Sequence, residues 1–344
     1  MKAALIHEFG PADVLKIADA PEPKAAPGEV LVRVRAVRVG GLLDIGTRAG
    51  RNPFARLTFP HILGADFAGD LVEVGDGVTR VKPGDRVAVS PFVACGQCPA
   101  CQAGRDYGCS SAQLIGVHRQ GSYAELTAVP EKVVRTIPPS LPYEQAAALA
   151  LSGPVAFTQF SVAGLKSGDW VLVTAAASGL GLVTALVAKA LGARVIATSR
   201  KDWKRDMLQA RGFDAVLDTE DEAFGNQVGE LTQGQGVTIA VDNTSSATMF
   251  PKVQGALGRL GVLVSSGAQV AEPVPLDLRS LYLKSQSILG IRTHTLAALD
   301  GFWRLAENGL ETLVDRTFPL DEVADAHRYV EAEMNFGRVV LTID

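Results

Sequence analysis

Four cysteines stand within fifteen positions, Cys95, Cys98, Cys101 and Cys109, and they are all the cysteines of the chain. Thiolates are strong metal ligands, so this spacing has the look of a metal site. A second chemical feature lies downstream, Thr174-Ala-Ala-Ala-Ser-Gly-Leu-Gly181. The small residues Ala176, Ser178, Gly179 and Gly181, with Leu180 between, let backbone approach a pyrophosphate. The helix that follows supplies free N–H groups and a partial positive charge. The turn is a variant of G-x-G-x-x-G with Ala176 in the first glycine place. It follows an apolar strand and opens a helix, the context a dinucleotide site requires. The alternative is a plain tight turn between strand and helix. Some twenty residues on, the second strand ends in Ser199-Arg200-Lys201-Asp202-Trp203-Lys204. A site for NAD usually places Asp or Glu there. Ser199, Arg200 and Lys204 suit a 2′-phosphate instead, which predicts NADP(H). Asp202 opposes that reading unless it caps the helix, and the cations are otherwise a solvated helix start.

The elements that must position these groups change character along the chain. Residues 1–130 read as short strands punctuated by glycine and proline, such as 29–37, 66–75 and 85–90, with almost no helical pattern. From about residue 143 an alanine-rich helical stretch begins, broken near a proline. Strand and helix then alternate: strands at 170–175 and 194–199, helices at 181–192 and 202–212. Buried β-branched strands separated by helices predict a doubly wound parallel sheet. The tail from about 290 holds a helix and a last strand, GRVVLTI.

At 344 residues the chain exceeds the roughly 250–300 at which one core stops growing, so two domains are expected. A net charge of -4 offers no nucleic-acid surface. No apolar run approaches the roughly 18–20 residues of a membrane span, and the N-terminus has no signal-peptide pattern. Cysteines that are clustered rather than dispersed argue for a reducing, cytoplasmic setting.

These features together resemble the medium-chain dehydrogenase/reductase superfamily of zinc alcohol dehydrogenases and quinone oxidoreductases. The resemblance runs through GEVLVRV (28–34), the segment around Asp44 and Arg48, and LGADFAGDLVEVGDGVTRVKPGDRV (63–87). It continues through GSYAEL (121–126), the AAASGLG turn, GRLGVLVSSG (258–267) and GRVVL (337–341). It implies an α/β chain: a GroES-like β-rich catalytic domain over 1–142 with a zinc lobe at 91–112, a Rossmann domain over 143–285, and a return to the catalytic domain over 286–344. It also implies a closed structural zinc on Cys95, Cys98, Cys101 and Cys109, with no open position for substrate. Asn243, Thr244, Ser266, Gly267 and Arg338 fall at cofactor-contact positions, with Arg338 placed to reach a 2′-phosphate; each is otherwise a turn or surface residue. A homodimer or homotetramer acting on a small molecule is expected.

The resemblance implies no catalytic zinc. In zinc-dependent relatives a Cys stands at the place of Gly41, a His at Ala65 and a third Cys at Ser152, and the Thr that polarises the alcohol corresponds to Leu43. Gly and Ala hold no metal, and Asp66 alone is not a site. Quinone oxidoreductases commonly carry Asn at position 41, which this chain lacks. What remains is hydride transfer from NADPH to an activated C=C bond or a quinone, where charge spreads into an enolate or hydroquinone. The run Gly40-Gly41-Leu42-Leu43 predicts a roomy apolar pocket floor. Asp44 and Asp66 are the candidate catalytic residues. Each is equally a structural carboxylate, with Arg48 as the candidate partner of Asp66. Tyr123 and His118 read as packing or surface residues, and His7, His61, His294 and His327 receive no role. Two other readings stay open: an alcohol or aldehyde dehydrogenase with a rebuilt site, and a non-enzymatic NADPH-binding protein.

Overall fold

The computed structural model describes residues 1–267 and 273–344. The chain divides into two compact units, Met1–Leu151 with Leu299–Asp344, and Ser152–Ala298.

The first unit is built on the strand Glu29–Val39, whose Val30, Val32, Val34 and Val37 are fully buried. β-Branched side chains on alternate positions favour the pleated conformation, and each contributes about 1.5–3 kcal/mol when buried. This strand pairs antiparallel with Phe67–Val74 on one side and with Arg338–Thr342 on the other. Arg86–Val89 and Val134–Thr136 extend the sheet beyond Phe67–Val74, and Val314–Pro319 lies parallel to Arg338–Thr342 at the opposite edge. The start of Glu29–Val39 also pairs with Leu126–Pro130. A smaller sheet joins Lys2–Ile6 to Lys16–Asp19 and His61–Ile62. Ile6, Phe67, Leu71, Val89, Tyr123 and Leu341 belong to the core between these layers.

The second unit is a six-stranded, all-parallel sheet. Its order is Ala215–Leu217, Arg194–Thr198, Trp170–Val173, Val237–Asp242, Leu257–Ser265, Ser287–Gly290. The strand order reverses between Trp170–Val173 and Val237–Asp242, which is where doubly wound sheets open a crevice for ligands. Val171, Leu172, Val173, Val195, Ile196 and Ala197 are fully buried, as strands covered by helices on both faces require.

Both boundaries differ from the sequence expectation. The helix Tyr143–Leu149 packs on Glu29–Val39, Phe67–Val74 and Arg338–Thr342, so the first unit runs to 151 rather than 142. The return falls at 299 rather than 286, because Ser287–Gly290 completes the parallel sheet. The alanine-rich stretch is two helices, Tyr143–Leu149 and Ser152–Ala163. Among the described residues no single helix is long and apolar enough to cross a membrane.

Candidate active site

In the second unit, the strand Trp170–Val173 leads through a turn into the helix Gly179–Ala190. Ala175 bends the turn with φ +46°, a left-handed conformation rare outside glycine. The Ser178 hydroxyl caps the helix by accepting from Gly181 N at 3.1 Å. A Cβ on Gly181 would lie 2.1 Å from the Ala175 carbonyl oxygen, so only glycine lets the turn close on the helix. The carboxyl ends of the two central strands are tied by Asp242. Its Oδ1 accepts from the Thr174 hydroxyl at 2.9 Å and the Thr244 hydroxyl at 2.7 Å, while Ser245 N donates to Oδ2 at 3.1 Å. Asn243 N donates to Thr174 Oγ1 at 3.0 Å, and its own Nδ2 is buried without a partner. Ser266 Oγ donates to the Ile291 carbonyl at 2.8 Å, and the Gly267 carbonyl accepts from Ser245 Oγ.

At the end of Arg194–Thr198, Ser199 is buried and Arg200 is exposed with no ion pair among the described residues. Lys204 lies 5.2 Å over the Trp203 ring. The helix begins at Asp202 with Lys201 as its N-cap, so Asp202 is not the cap expected from the sequence. Asp202 instead pairs with Arg205, which also binds Asp218 at 2.9 Å.

In the first unit two groups of polar side chains lie in the core, one around Arg38 and Asp66 and one a hydrogen-bonded chain from Tyr123 out to Glu331. Arg38, at the end of the central strand, grips Asp66 with two hydrogen bonds, Nε to Oδ2 at 2.5 Å and Nη2 to Oδ1 at 2.6 Å. Asp66 is fully buried. Its neighbour Asp44 sits on a wide helical turn, Gly41–Gly46, in which Ile45 N reaches back five residues to the Gly40 carbonyl. Such π-type turns often mark functional sites. Asp44 Oδ2 accepts from Gly40 N at 2.7 Å, whereas Oδ1 ends without a full hydrogen bond, the Gly64 N–H contributing only weakly. Burial pushes the Asp44 carboxyl up to about 7; Arg38 pulls it down and Asp66 pushes it up. Burial likewise raises the Tyr123 phenol.

Tyr123 Oη lies 2.9 Å from His327 Nε2, and His327 Nδ1 lies 3.2 Å from Arg48 Nη1. A guanidinium only donates, so Nδ1 is the acceptor and Nε2 carries the proton toward Tyr123. Burial, and then Arg48, hold His327 down to about 3. Arg48 closes the chain on Glu331, Nη2 to Oε1 at 2.6 Å. Arg338 is half-buried, and its Nε is buried without a partner. Burial and repulsion from Arg38 lower it to about 9, against the pull of Asp66.

The four cysteine sulfurs all lie within 4.8 Å of one another. A tetrahedral zinc with bonds of about 2.3 Å needs sulfurs about 3.8 Å apart, and Cys98–Cys101 is 3.6 Å while Cys95–Cys101 is 4.0 Å. Backbone N–H groups of Gln97 and Cys98 point at Cys95 Sγ, both at 3.4 Å, and Cys95 N donates to Cys109 Sγ at 3.3 Å. Donors of this kind favour thiolate. Cys109 anchors the lobe against Phe92 and Ala94. This donor set fits a closed zinc, which would hold the lobe together.

Two family models match the chain: the alcohol dehydrogenase GroES-like domain over residues 26–139, and the zinc-binding dehydrogenase domain over 179–308. An alcohol dehydrogenase of Geobacillus stearothermophilus is 30% identical over the full length of both chains. The chain belongs to the medium-chain dehydrogenase/reductase superfamily. The crystal structure of an NAD-dependent alcohol dehydrogenase superposes with a TM-score of 0.91 at 35% identity, all of each chain being covered. A mycobacterial quinone oxidoreductase superposes with a TM-score of 0.82 at 29% identity, over 99% of each chain. Membership in this superfamily carries oxidoreductase activity with a nicotinamide cofactor.

Against the superfamily's zinc-dependent pattern, the catalytic metal does not fit this chain. Gly41 offers no side chain, Ala65 offers a buried methyl, and both Asp66 oxygens are committed to Arg38. Among the described residues the four cysteines are the one group of three or more His, Cys, Asp or Glu whose ligand atoms converge.

Asp44 and Asp66 do come together, in one buried cluster with Arg38. The expected partner of Asp66 does not: Arg48 pairs with Glu331. Arg338 stands beside Arg38 and Asp66 in the first unit, so the charges it feels there are those of that pair. Tyr123 is a core residue, yet it also joins His327 in the polar chain, which the sequence did not signal. Arg38, His327, Glu331 and Asp242 were missed. The one available hint was Arg38, a charged residue at the apolar end of a strand pattern.

Proposed function

We propose that the protein is an NADPH-dependent oxidoreductase that transfers hydride to an activated C=C bond or a quinone without a catalytic metal. The observation that carries this reading is the pair Gly41 and Ala65 at two catalytic-ligand positions, with Asp66 locked to Arg38. Without a Lewis acid, alcohol oxidation loses several kcal/mol of alkoxide stabilisation, whereas an enone or quinone brings its own electron sink. A bound dihydronicotinamide would supply the hydride.

The chain's own groups would do the rest. The turn from Ala176 through Ser178, Gly179, Leu180 and Gly181, backed by the helix N-terminus, would cradle the pyrophosphate. Ser199, exposed Arg200 and Lys204 would take the 2′-phosphate, where an acid would repel it. Asn243 and Thr244, which end a strand at the reversal point of the sheet, and Ser266 and Gly267, which end the next strand, would contact the cofactor. Asp44, with its carboxyl near neutrality, can hold a proton at physiological pH. Cys95, Cys98, Cys101 and Cys109 would hold one structural zinc.

The test is NADPH oxidation over a panel of enones, quinones and aldehydes, with NADH alongside. Reduction of an enone or quinone with preference for NADPH is expected; preference for NADH overturns the cofactor reading. The relatives' names favour a second reading, a zinc-type alcohol dehydrogenase. It requires two metals per chain and turnover of alcohols, and one zinc per chain removes it. We also propose a homo-oligomer, supported by the open sheet edge Ser287–Gly290 and exposed Leu278, Tyr282 and Ile288 near it.

A further inference from the structure

We propose that Arg38 is the electrophilic cation of the active site: its guanidinium Nη1 donates to the substrate oxygen on which hydride transfer places negative charge. This rests on the proposed reductase function and assigns to one side chain the role that a catalytic metal fills in zinc-dependent relatives.

The geometry starts at the Asp66 pair. Nε and Nη2 of Arg38 occupy both Asp66 oxygens, which leaves Nη1 with no hydrogen bond among the described residues. Arg38 is only 7% exposed as a residue, and Nη1 is the one guanidinium nitrogen not taken up by Asp66. A donor left over in this way can take a ligand oxygen without breaking the ion pair. The guanidinium lies across the backbone of Gly40: a Cβ there would stand 2.3 Å from Nη1, 2.6 Å from Nη2 and 2.8 Å from Cζ. Glycine at position 40, whose backbone is ordinary extended chain, leaves the room the guanidinium occupies while it is paired with Asp66. At the next residue the packing ends. A Cβ on Gly41 would meet nothing within 4 Å. The guanidinium thus lies against the residue before the position where zinc-dependent relatives carry a ligand cysteine, with open space at that position itself, and its bound carboxylate follows Ala65, where they carry the histidine.

The local charge count points the same way. Val340 is the antiparallel register partner of Arg38, so Arg338, two residues away, projects on the same face of the sheet. Its Nε is a buried donor without a partner among the described residues. Two guanidiniums, those of Arg38 and Arg338, face Asp66, and burial drives the other nearby carboxyl, Asp44, toward its neutral form. The cluster holds an excess of buried positive charge, which an incoming oxyanion would complement. An unbalanced buried cation is expensive, and preorganised donors of this kind are what stabilise developing charge in transition states.

The electron balance is simple. Hydride adds to the β-carbon of the enone with its electron pair, the former C=C pair shifts toward the carbonyl carbon, and the carbonyl π pair moves to oxygen. Arg38 holds that enolate oxygen until the α-carbon takes a proton from water or the Asp44 carboxyl. The substrate is reduced and NADPH is oxidised to NADP+. A quinone follows the same course to hydroquinone, with the proton going to oxygen.

Removing Arg38 alone would strand Asp66, so the main variant is the double substitution Arg38→Met with Asp66→Asn, checked for folding by circular dichroism and Tm. Its kcat should fall on the order of 100-fold while KM for NADPH stays within about threefold. Arg38→Lys should fall in between, and Asp66→Asn, which keeps the cation but loosens its hold, should lower kcat less than the double variant does. A second readout needs no turnover. 4-Nitrophenol, whose phenolate is coloured, is titrated on the full chain with and without nicotinamide nucleotide. Wild type should ionise the bound phenol at lower pH than in free solution, and the double variant should not. Equal titrations in wild type and the folded double variant, or unchanged kcat in that variant, overturn the assignment. Should the double variant fail to fold, Asp66→Asn decides: the freed guanidinium should move the phenol titration further down, and no movement overturns it. If wild type reduces no enone or quinone yet binds the phenolate through Arg38, the reductase reading falls and the oxyanion site stands.

Discussion

Asp44 has no exposed surface and one oxygen short of a full hydrogen bond, so water cannot stabilise its charge. Folding raises its carboxyl from 3.8 to about 7. The sign follows from proton counting. Below about pH 4 both folded and unfolded chains hold the proton and no penalty exists. Between about 4 and 7 the folded chain keeps a proton that the unfolded chain releases, so stability falls as pH rises. Above pH 7 the whole penalty is present, on the order of 4 kcal/mol. Asp44→Asn keeps an acceptor for Gly40 N and abolishes the titration. The gain in Tm of Asp44→Asn over wild type should therefore grow between pH 5 and pH 8. A difference that does not vary with pH would assign the titration to another group. His327 belongs to the same scale: buried, neutral, and fixed in one tautomer by Arg48.

Two elements carry the remaining chemistry. The lobe 91–112 has a small apolar cluster of its own, Phe92, Ala94 and Cys109, and enters the main core through Val93, so the shape of its cysteine end depends on what joins its thiolates. Chelation of the zinc should lower Tm by several degrees, as a loss of even about 1 kcal/mol shifts a domain by roughly 2–8 °C. Metal analysis before and after chelation checks it, and an unchanged Tm on zinc loss would deny the lobe a structural role. In the proposed reading the loop after the strand Arg194–Thr198 carries the nucleotide discrimination. Arg205 is engaged by Asp202 and Asp218, whereas Arg200 and Lys201 are exposed cations beside Ser199. Arg200→Ala should weaken NADPH on the order of tenfold and leave NADH nearly unchanged, read by nucleotide fluorescence titration. Equal effects on both nucleotides would place the 2′-phosphate elsewhere.

At the scale of the whole molecule, the parallel sheet ends in an open strand, Ser287–Gly290, with Ile288 38% exposed and Tyr282 80% exposed nearby. Unprotected edges and apolar patches are surfaces that soluble proteins usually cover. Light scattering should give a mass that is a multiple of the 36.2 kDa chain, and Tyr282→Glu with Ile288→Glu should reduce it. A wild-type monomer would remove this expectation. The two-unit division was legible in composition, from strands and turns to alternating strand and helix. Its boundaries were not, because Tyr143–Leu149 reads like the helices after it and only packing assigns it to the first unit. The sequence by itself determined which donor atoms exist. Four clustered thiols make one metal site, Gly41 and Ala65 remove ligands from another, and a contiguous run of small residues makes the turn at Gly181, since each property resides in a residue or its immediate neighbours. Only the tertiary structure decided who faces whom. Arg38 rather than Arg48 meets Asp66 because the antiparallel register of two neighbouring strands brings them together over 28 residues, and Tyr123 meets His327 across 204. Such pairings follow from register and packing, in which no single local segment carries the information.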